Sequence, residues 1–97
     1  MIDFTGCIVK QRALNGGTQT IYKFPNGYGA SVICGGLYTF GDDEHPYELA
    51  VIKFRTDKDG FDLCYDTPIT DDVIGYQTGE QIIQLLMQIK DLPNEPT

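Results

Sequence analysis

The sequence of 97 residues has a single histidine, His45, and a single serine, Ser31, and it has no tryptophan. A Ser-His-Asp or Cys-His catalytic site needs a histidine oriented by a third group, and His45 lies in a loop-like stretch before a proline. A chain of this length forms one domain with a modest core and leaves little room to enclose a cleft. The sequence therefore predicts a protein that is not an enzyme and needs no cofactor.

Long apolar runs are also missing. No stretch approaches the roughly 20 apolar residues that span a bilayer, and the N-terminus lacks the basic segment and apolar run of a signal peptide. The three cysteines, Cys7, Cys34 and Cys64, are odd in number, form no CxxC pair and lie among apolar residues of predicted strands. We expect buried, reduced thiols in a cytoplasmic protein, with no membrane partner.

Basic residues are few, at seven against fourteen acidic ones, which gives a net charge of −7. The imbalance is uneven, because residues 1–40 hold one acid and three bases whereas residues 41–97 hold thirteen acids and four bases. A negative field of this kind repels nucleic-acid phosphates and anionic lipids. We therefore expect no direct binding of nucleic acid, and a preference for basic protein surfaces or cations as partners, with solubility alone as the alternative reason for the charge.

Phosphate-binding glycine motifs are absent, although the stretch Asn26–Gly41 is rich in glycine. It contains neither GxGxxG nor GxxxxGK[ST], and no helix follows it to present its N-terminus to a phosphate. The stretch is instead typical of a hairpin with closely packed strands. Gly29 lies inside the predicted strand and indicates a bulge or a close backbone approach.

The loop Asp42–His45 places the histidine beside three acids. Metal ions take ligands that converge from several places, and adjacent residues of one loop cannot all face one ion. This loop therefore indicates a solvated acidic segment, and the sequence predicts no metal site.

Hydrophobic alternation and turn residues predict an α+β domain over residues 1–92, followed by a flexible polar tail at 93–97. Its sheet is antiparallel, four- or five-stranded and built from two hairpins, with one C-terminal amphipathic helix packed on a face. Turns are expected at Asn15–Gly17 and Pro25–Gly27. The predicted strands are Ile2–Val9, Thr20–Phe24, Tyr28–Cys34, Tyr47–Arg55 and Phe61–Tyr65.

Two helical segments are predicted after Pro68. The first is a single turn over Ile69–Gly75, with Thr70 as N-cap and Gly75 at its end. The second begins with a capping box of Thr78 and Gln81. Its apolar residues follow at helical spacing: Ile82, Leu85, Leu86 and Ile89.

Acidic residues surround the last predicted strand and could form one negative strip. Such a strip can imitate a run of phosphates and occupy a nucleic-acid-binding groove on another protein. Tyrosines beside it are candidate aromatic anchors for that partner. The predicted partner-binding residues are Asp57, Asp59, Asp62, Asp66, Asp71, Asp72, Tyr65 and Tyr76.

Three segments carry a resemblance to small bacteriophage proteins: Asn26–Val32 (NGYGASV), Tyr47–Val51 (YELAV) and Tyr65–Gly75 (YDTPITDDVIG). The resemblance covers about half of the chain, from Asn26 to Gly75, and brings no catalytic residues with it. It implies the cytoplasm of a bacterial host as the setting. In size and charge the chain is also similar to phage inhibitors of host defence, such as anti-CRISPR proteins, although it shares no motif with them.

Three functions follow as expectations. The leading one is a non-enzymatic phage protein that binds a basic surface of a host protein and inhibits a nucleic-acid-processing defence complex, such as a CRISPR nuclease. The second is an oligomeric binder or sponge for a small molecule, such as a nucleotide signal, with Gly29, Gly35 and Gly36 allowing close approach. The third is a virion-assembly component that associates with itself through edge strands, for example as a homodimer.

Overall fold

The computed structural model describes residues 4–36, 41–54, 61–63 and 73–93, with the backbone alone at Thr5 and 61–63. The predicted α+β class is confirmed, because an antiparallel sheet carries one C-terminal helix on one face. A short 3-10 helix over Thr5–Cys7 comes first. The elements that follow are β1 (Ile8–Leu14), β2 (Gly17–Lys23), β3 (Tyr28–Cys34), β4 (Tyr47–Phe54), β5 (Phe61–Leu63), β6 (Ile74–Gln77) and α1 (Gly79–Lys90).

The strands follow one another across the sheet in the order β1-β2-β3-β4-β5, each antiparallel to its neighbour. The outer edge of β4 is shared by two strands. Its C-terminal part, Ile52–Phe54, pairs with β5, and its N-terminal part, from Tyr47 to Leu49, pairs with β6. Both β5 and β6, which directly precedes the helix, therefore pair with the same edge of β4.

The two predicted turns of the first half are confirmed. Asn15 and Gly16 both have positive φ, at 52° and 86°, as a two-residue hairpin with the twist of its strands requires. In the next turn Gly27 has a φ of 90° and donates a hydrogen bond of 3.2 Å to the carbonyl of Phe24. These local signals join β1 to β2 and β2 to β3.

Two predicted elements are wrong. The first strand occupies Ile8–Leu14 rather than Ile2–Val9, because a 3-10 turn at Thr5–Cys7 precedes it. This strand is mostly exposed, so apolar and polar residues do not alternate along it as they do in a half-buried strand. The predicted helical turn ending at Gly75 is also wrong over its last residues, since Ile74–Gln77 is β6, which pairs with the available edge of β4.

Helix α1 begins at the predicted capping box. The Thr78 hydroxyl accepts from the amide of Gln81 at 3.2 Å, and the Gln81 side chain accepts from the amide of Thr78 at 2.8 Å. The buried side of the helix packs against β3 and β4. The core between them consists of Phe4, Phe24, Ala30, Val32, Leu49, Val51, Ile82, Leu86 and Ile89.

Candidate functional site

An open cleft of about 800 Å³ lies between α1 and the sheet surface on its β1–β2 side. It forms because α1 packs over β3 and β4 and leaves the same face of β1 and β2 uncovered by the helix. The sequence predicts that so short a chain has little room to enclose a cleft, and this cleft is open to solvent rather than enclosed. The lining residues are Phe4, Ile8, Gln11, Thr18, Thr20, Tyr22, Val32, Cys34, Tyr47, Gly79, Ile82, Ile83 and Leu86.

The walls of the cleft are apolar. Ile82, Ile83 and Leu86 form the helix side, and Phe4 and Ile8 contribute from the N-terminal segment. Ile82 and Leu86 are buried in the core, whereas Ile83 leaves 39% of its surface exposed at the rim. A ligand that covers this exposed isoleucine would gain the free energy of burying apolar surface.

The floor of the cleft is more polar. Thr18 and Thr20 alternate along β2 with residues on the opposite face of the sheet, so both side chains face the helix side. Gln11 of β1 donates a hydrogen bond of 2.9 Å to the Thr20 hydroxyl. The floor therefore offers hydroxyl and amide groups to a ligand, while the walls offer apolar contact.

Two phenols and a thiol complete the lining. Cys34 and Tyr47 are partners in the β3–β4 register, and their side chains are hydrogen-bonded. Burial raises the pKa of Tyr47, and the neighbouring Cys34 raises it further. Burial also raises the pKa of Tyr22, with a smaller contribution from the nearby Tyr47. Both hydroxyls therefore hold their protons more firmly than in solution.

The site combines a volume typical of ligand-binding sites with a mainly apolar lining and a few polar groups. Within residues 4–36, 41–54 and 73–93, no group of three acidic, histidine or cysteine side chains could hold a metal ion. None of the described lining residues carries a formal charge. The cleft is thus suited to binding an organic molecule through apolar contact and hydrogen bonds.

Sequence reasoning missed this site, although β2 carries a signal for it. The helix-facing side of β2 presents Thr18, Thr20 and Tyr22, while its other side carries the fully buried Ile21. When the side of a sheet that carries a helix has a strand of hydroxyl-bearing residues, the pattern indicates that the helix leaves that strand uncovered. The signal is weak, because only the position of α1 decides which face it covers.

The predicted partner-binding residues lie mostly outside the described part of the chain. Six of them belong to segments that the structure does not describe: Asp57, Asp59, Tyr65, Asp66, Asp71 and Asp72. Asp62 lies in β5, where its backbone pairs with Lys53. Whether the acids form one strip therefore stays a prediction.

Tyr76 is the one predicted anchor whose side chain is described. It is 56% exposed and has a φ of 54°, in the left-handed region that bulky residues rarely adopt. The pairing of β6 with β4 shifts register at this point, since Tyr47 opposes Gln77 and Leu49 opposes Ile74. The resulting bulge turns the phenol of Tyr76 outward.

Gly29 in β3 and Gly36 just after it serve close chain packing. A Cβ on Gly29 would collide with the carbonyl oxygen of Tyr22 and lie 2.7 Å from the Phe54 ring. A Cβ on Gly36 would lie 2.6 Å from the amide nitrogen of Gly17. The close backbone approach predicted at Gly29 is therefore present, and neither of these two glycines lines the cleft.

The loop Asp42–His45 is organised by the first of its acids. One carboxylate oxygen of Asp42 accepts from the amides of His45 at 2.7 Å and Glu44 at 3.1 Å, and lies 3.3 Å from His45 Nδ1. The hydrogen bond from the His45 amide is the main cause that lowers the pKa of Asp42. The loop is exposed at Asp42, Asp43 and Glu44, as its sequence predicts.

The described cysteines differ from the expectation. Cys7 lies in the 3-10 helix rather than a strand, and both Cys7 and Cys34 are half-buried free thiols rather than fully buried ones. Cys64 lies outside the described residues.

No protein family, curated protein or solved structure matches the chain. Among the described residues, α1 with its twelve residues is too short to cross a membrane as a helix.

Proposed function

We propose that the protein is a non-enzymatic binding protein that holds a small organic molecule in the cleft between α1 and the sheet. The observation that carries this proposal is the cleft of about 800 Å³, with apolar walls and a hydrogen-bonding floor. Binding sites for small molecules typically have this size and this mixture of groups.

The arrangement of the helix supports the proposal. Ile83 and Met87 are one helical turn apart and similarly exposed, at 39% and 37%. Only Ile83 lines the cleft. A molecule in the cleft would therefore cover Ile83 and leave Met87 in solvent.

This difference supplies a matched pair of variants. A set of small organic probes is titrated into the wild-type protein, with binding followed by backbone amide NMR shifts and by the melting temperature. Ile83→Asp should weaken binding about tenfold or more, since it places a charge against the probe, and Met87→Asp should leave it unchanged. Saturable shifts that map to other residues, or equal loss in both variants, would contradict the proposal.

A second candidate function is inhibition of a host protein, such as a nucleic-acid-processing defence complex, by a chain of bacteriophage origin. The exposed Tyr76 favours it, because strained backbone at an exposed aromatic residue is common at functional sites. The excess of acids in residues 41–97 would add attraction to a basic partner.

This candidate has its own test. The tagged protein is used to capture partners from nuclease-treated bacterial lysate at low and high salt, beside the variants Tyr76→Gly and Asp62→Lys. Glycine adopts a positive φ without strain, so Tyr76→Gly should not lower the free energy of unfolding and should raise it by up to about 1 kcal/mol. The same variant should weaken capture of the partner. A nuclease or defence subunit captured equally by the wild type and both variants would exclude a role for these residues.

A further inference from the structure

The lining of the cleft points to a specific class of ligand, and this inference rests on the proposed binding function. We propose that the cleft selects an uncharged, ring-containing molecule with a hydrogen-bond acceptor, such as a carbonyl oxygen, that faces the hydroxyl group of Tyr22.

The absence of charge in the described lining is the first argument. A phosphate or carboxylate that enters the cleft loses hydration, and the described lining residues supply no lysine, arginine or histidine to compensate for it. The same lining contains no acid to hold a cation. An uncharged molecule avoids this cost, so the described lining residues favour it over a nucleotide signal.

The apolar walls are the second argument. Ile82 and Leu86 approach the cleft from the helix, while Phe4 and Ile8 approach from the N-terminal segment. Since Phe4, Ile82 and Leu86 are already buried, a ring system in the cleft would gain most of its apolar contact from the partly exposed Ile8 and Ile83. Aromatic and aliphatic side chains of this kind provide most of the binding surface in small-molecule sites.

The Tyr22 phenol is the third argument. Within the described part of the chain, no buried side-chain nitrogen or oxygen lacks a hydrogen-bond partner. Tyr22 lines the cleft and its hydroxyl makes no hydrogen bond to the described residues, so this hydroxyl is not buried and is open to a ligand. The Tyr47 hydroxyl is hydrogen-bonded to Cys34, and since this bond raises the pKa of Tyr47, the phenol is the donor and its hydrogen is already engaged. Tyr22 is then the phenol donor that still requires an acceptor.

Three related probes separate these features. Coumarin is uncharged and carries a carbonyl acceptor, coumarin-3-carboxylate adds a negative charge to the same rings, and naphthalene has rings of similar size without a hydrogen-bonding group. Each is titrated into the wild-type protein, into Tyr22→Phe and into the exposed control Tyr76→Phe, with Kd measured by NMR.

Coumarin should bind best, with coumarin-3-carboxylate at least about tenfold weaker. Tyr22→Phe should weaken coumarin about two- to tenfold, the usual effect of one lost hydrogen bond. It should leave naphthalene unchanged, and Tyr76→Phe should change none of the three. The inference fails if the carboxylate binds as tightly as coumarin, or if Tyr22→Phe binds coumarin like the wild type. The proposed binding function survives that result and fails only if no probe enters the cleft.

Cys34 supplies a readout that does not depend on the variants. The wild-type protein is alkylated with iodoacetamide with and without saturating coumarin, and each cysteine is quantified by mass spectrometry. Coumarin should slow the alkylation of Cys34, which lines the cleft, several-fold. Cys7, which is similarly half-buried and does not line the cleft, is the internal control. Equal rates at Cys34 with and without coumarin would overturn the assignment.

Discussion

The side-chain amide of Asn26, in the turn between β2 and β3, donates a buried hydrogen bond of 2.9 Å to the carbonyl oxygen of Ile89 in the last turn of α1. The same nitrogen lies 3.2 Å from the carbonyl of Lys90 and 3.1 Å from that of Leu92. Asn26 thereby adds a side-chain donor to carbonyls at and just after the helix end, of which the Ile89 carbonyl also accepts from the Leu92 amide at 3.2 Å. This contact holds the C-terminal end of α1 over the hairpin, while the N-terminal half of the helix forms the wall of the cleft.

Replacing Asn26 should therefore loosen the helix. Asn26→Asp keeps the oxygen that accepts from the Tyr28 amide at 3.0 Å, but it removes the donor and turns a charge toward carbonyl oxygens. We expect the free energy of unfolding to fall by about 3 kcal/mol, measured by urea denaturation. The control Asn15→Asp, in the exposed first turn, should change it by less than about 0.5 kcal/mol. Equal effects of the two variants would remove Asn26 from this role.

Gly29 should not tolerate any side chain. Its added Cβ would meet the Tyr22 carbonyl oxygen and the Phe54 ring, so β2 and β3 would have to separate. Gly29→Ala should lower the free energy of unfolding by about 2–3 kcal/mol. Gly6→Ala is the matched control, because nothing lies within 4 Å of its added Cβ, and it should be nearly neutral. Chemical denaturation measures the free energy of unfolding of both variants. A large loss for Gly29→Ala alone would show that Gly29 serves close packing, and equal small changes would show that it supplies only chain flexibility.

The loop at Asp42 should change with acid pH. The pKa of Asp42 is lowered in the folded protein, so the ionised carboxylate stabilises the loop. This stabilisation is complete above the ordinary pKa of 3.8 and is lost as pH falls through the lower folded pKa. In an NMR titration, the His45 amide should shift together with the Asp42 carboxyl, at a midpoint below 3.8. Asp42→Asn cannot titrate, and the shift of the His45 amide in that window should disappear. A midpoint above 3.8 would contradict this account.

Alkaline pH should act on the two phenols of the cleft. The folded pKa values of Tyr22 and Tyr47 are raised above the ordinary 10.0, so their stabilising contribution is complete below pH 10 and is lost as pH rises through the folded values. Tyr22→Phe and Tyr47→Phe should each remove one late-ionising phenol from an ultraviolet titration. Each variant should also lose less stability than the wild type above pH 10. Unchanged titration curves would show that these two phenols are not the ones that ionise at raised pH.

Much of this fold is written in local sequence. The Asn15-Gly16 turn, the Pro25–Gly27 turn and the Thr78–Gln81 capping box each depend on residues close in the chain, and all three are present as predicted. The apolar spacing of α1 likewise places Ile82, Leu86 and Ile89 in the core. Turn geometry, capping and periodicity need no information from distant residues, which is why the sequence could predict them.

Tertiary structure alone decided the rest. Strand β6 exists because Ile74–Gln77 pairs with the N-terminal part of β4, where Gln77 opposes Tyr47 and Ile74 opposes Leu49, residues 30 and 25 positions apart. The cleft exists because α1 lies across β3 and β4 and stops short of β1 and β2. Its lining joins Phe4, Tyr22 and Ile83 from three distant segments. The sequence by itself determined the helix, the turns and the charge; packing between distant elements decided where the surface stays open to a ligand.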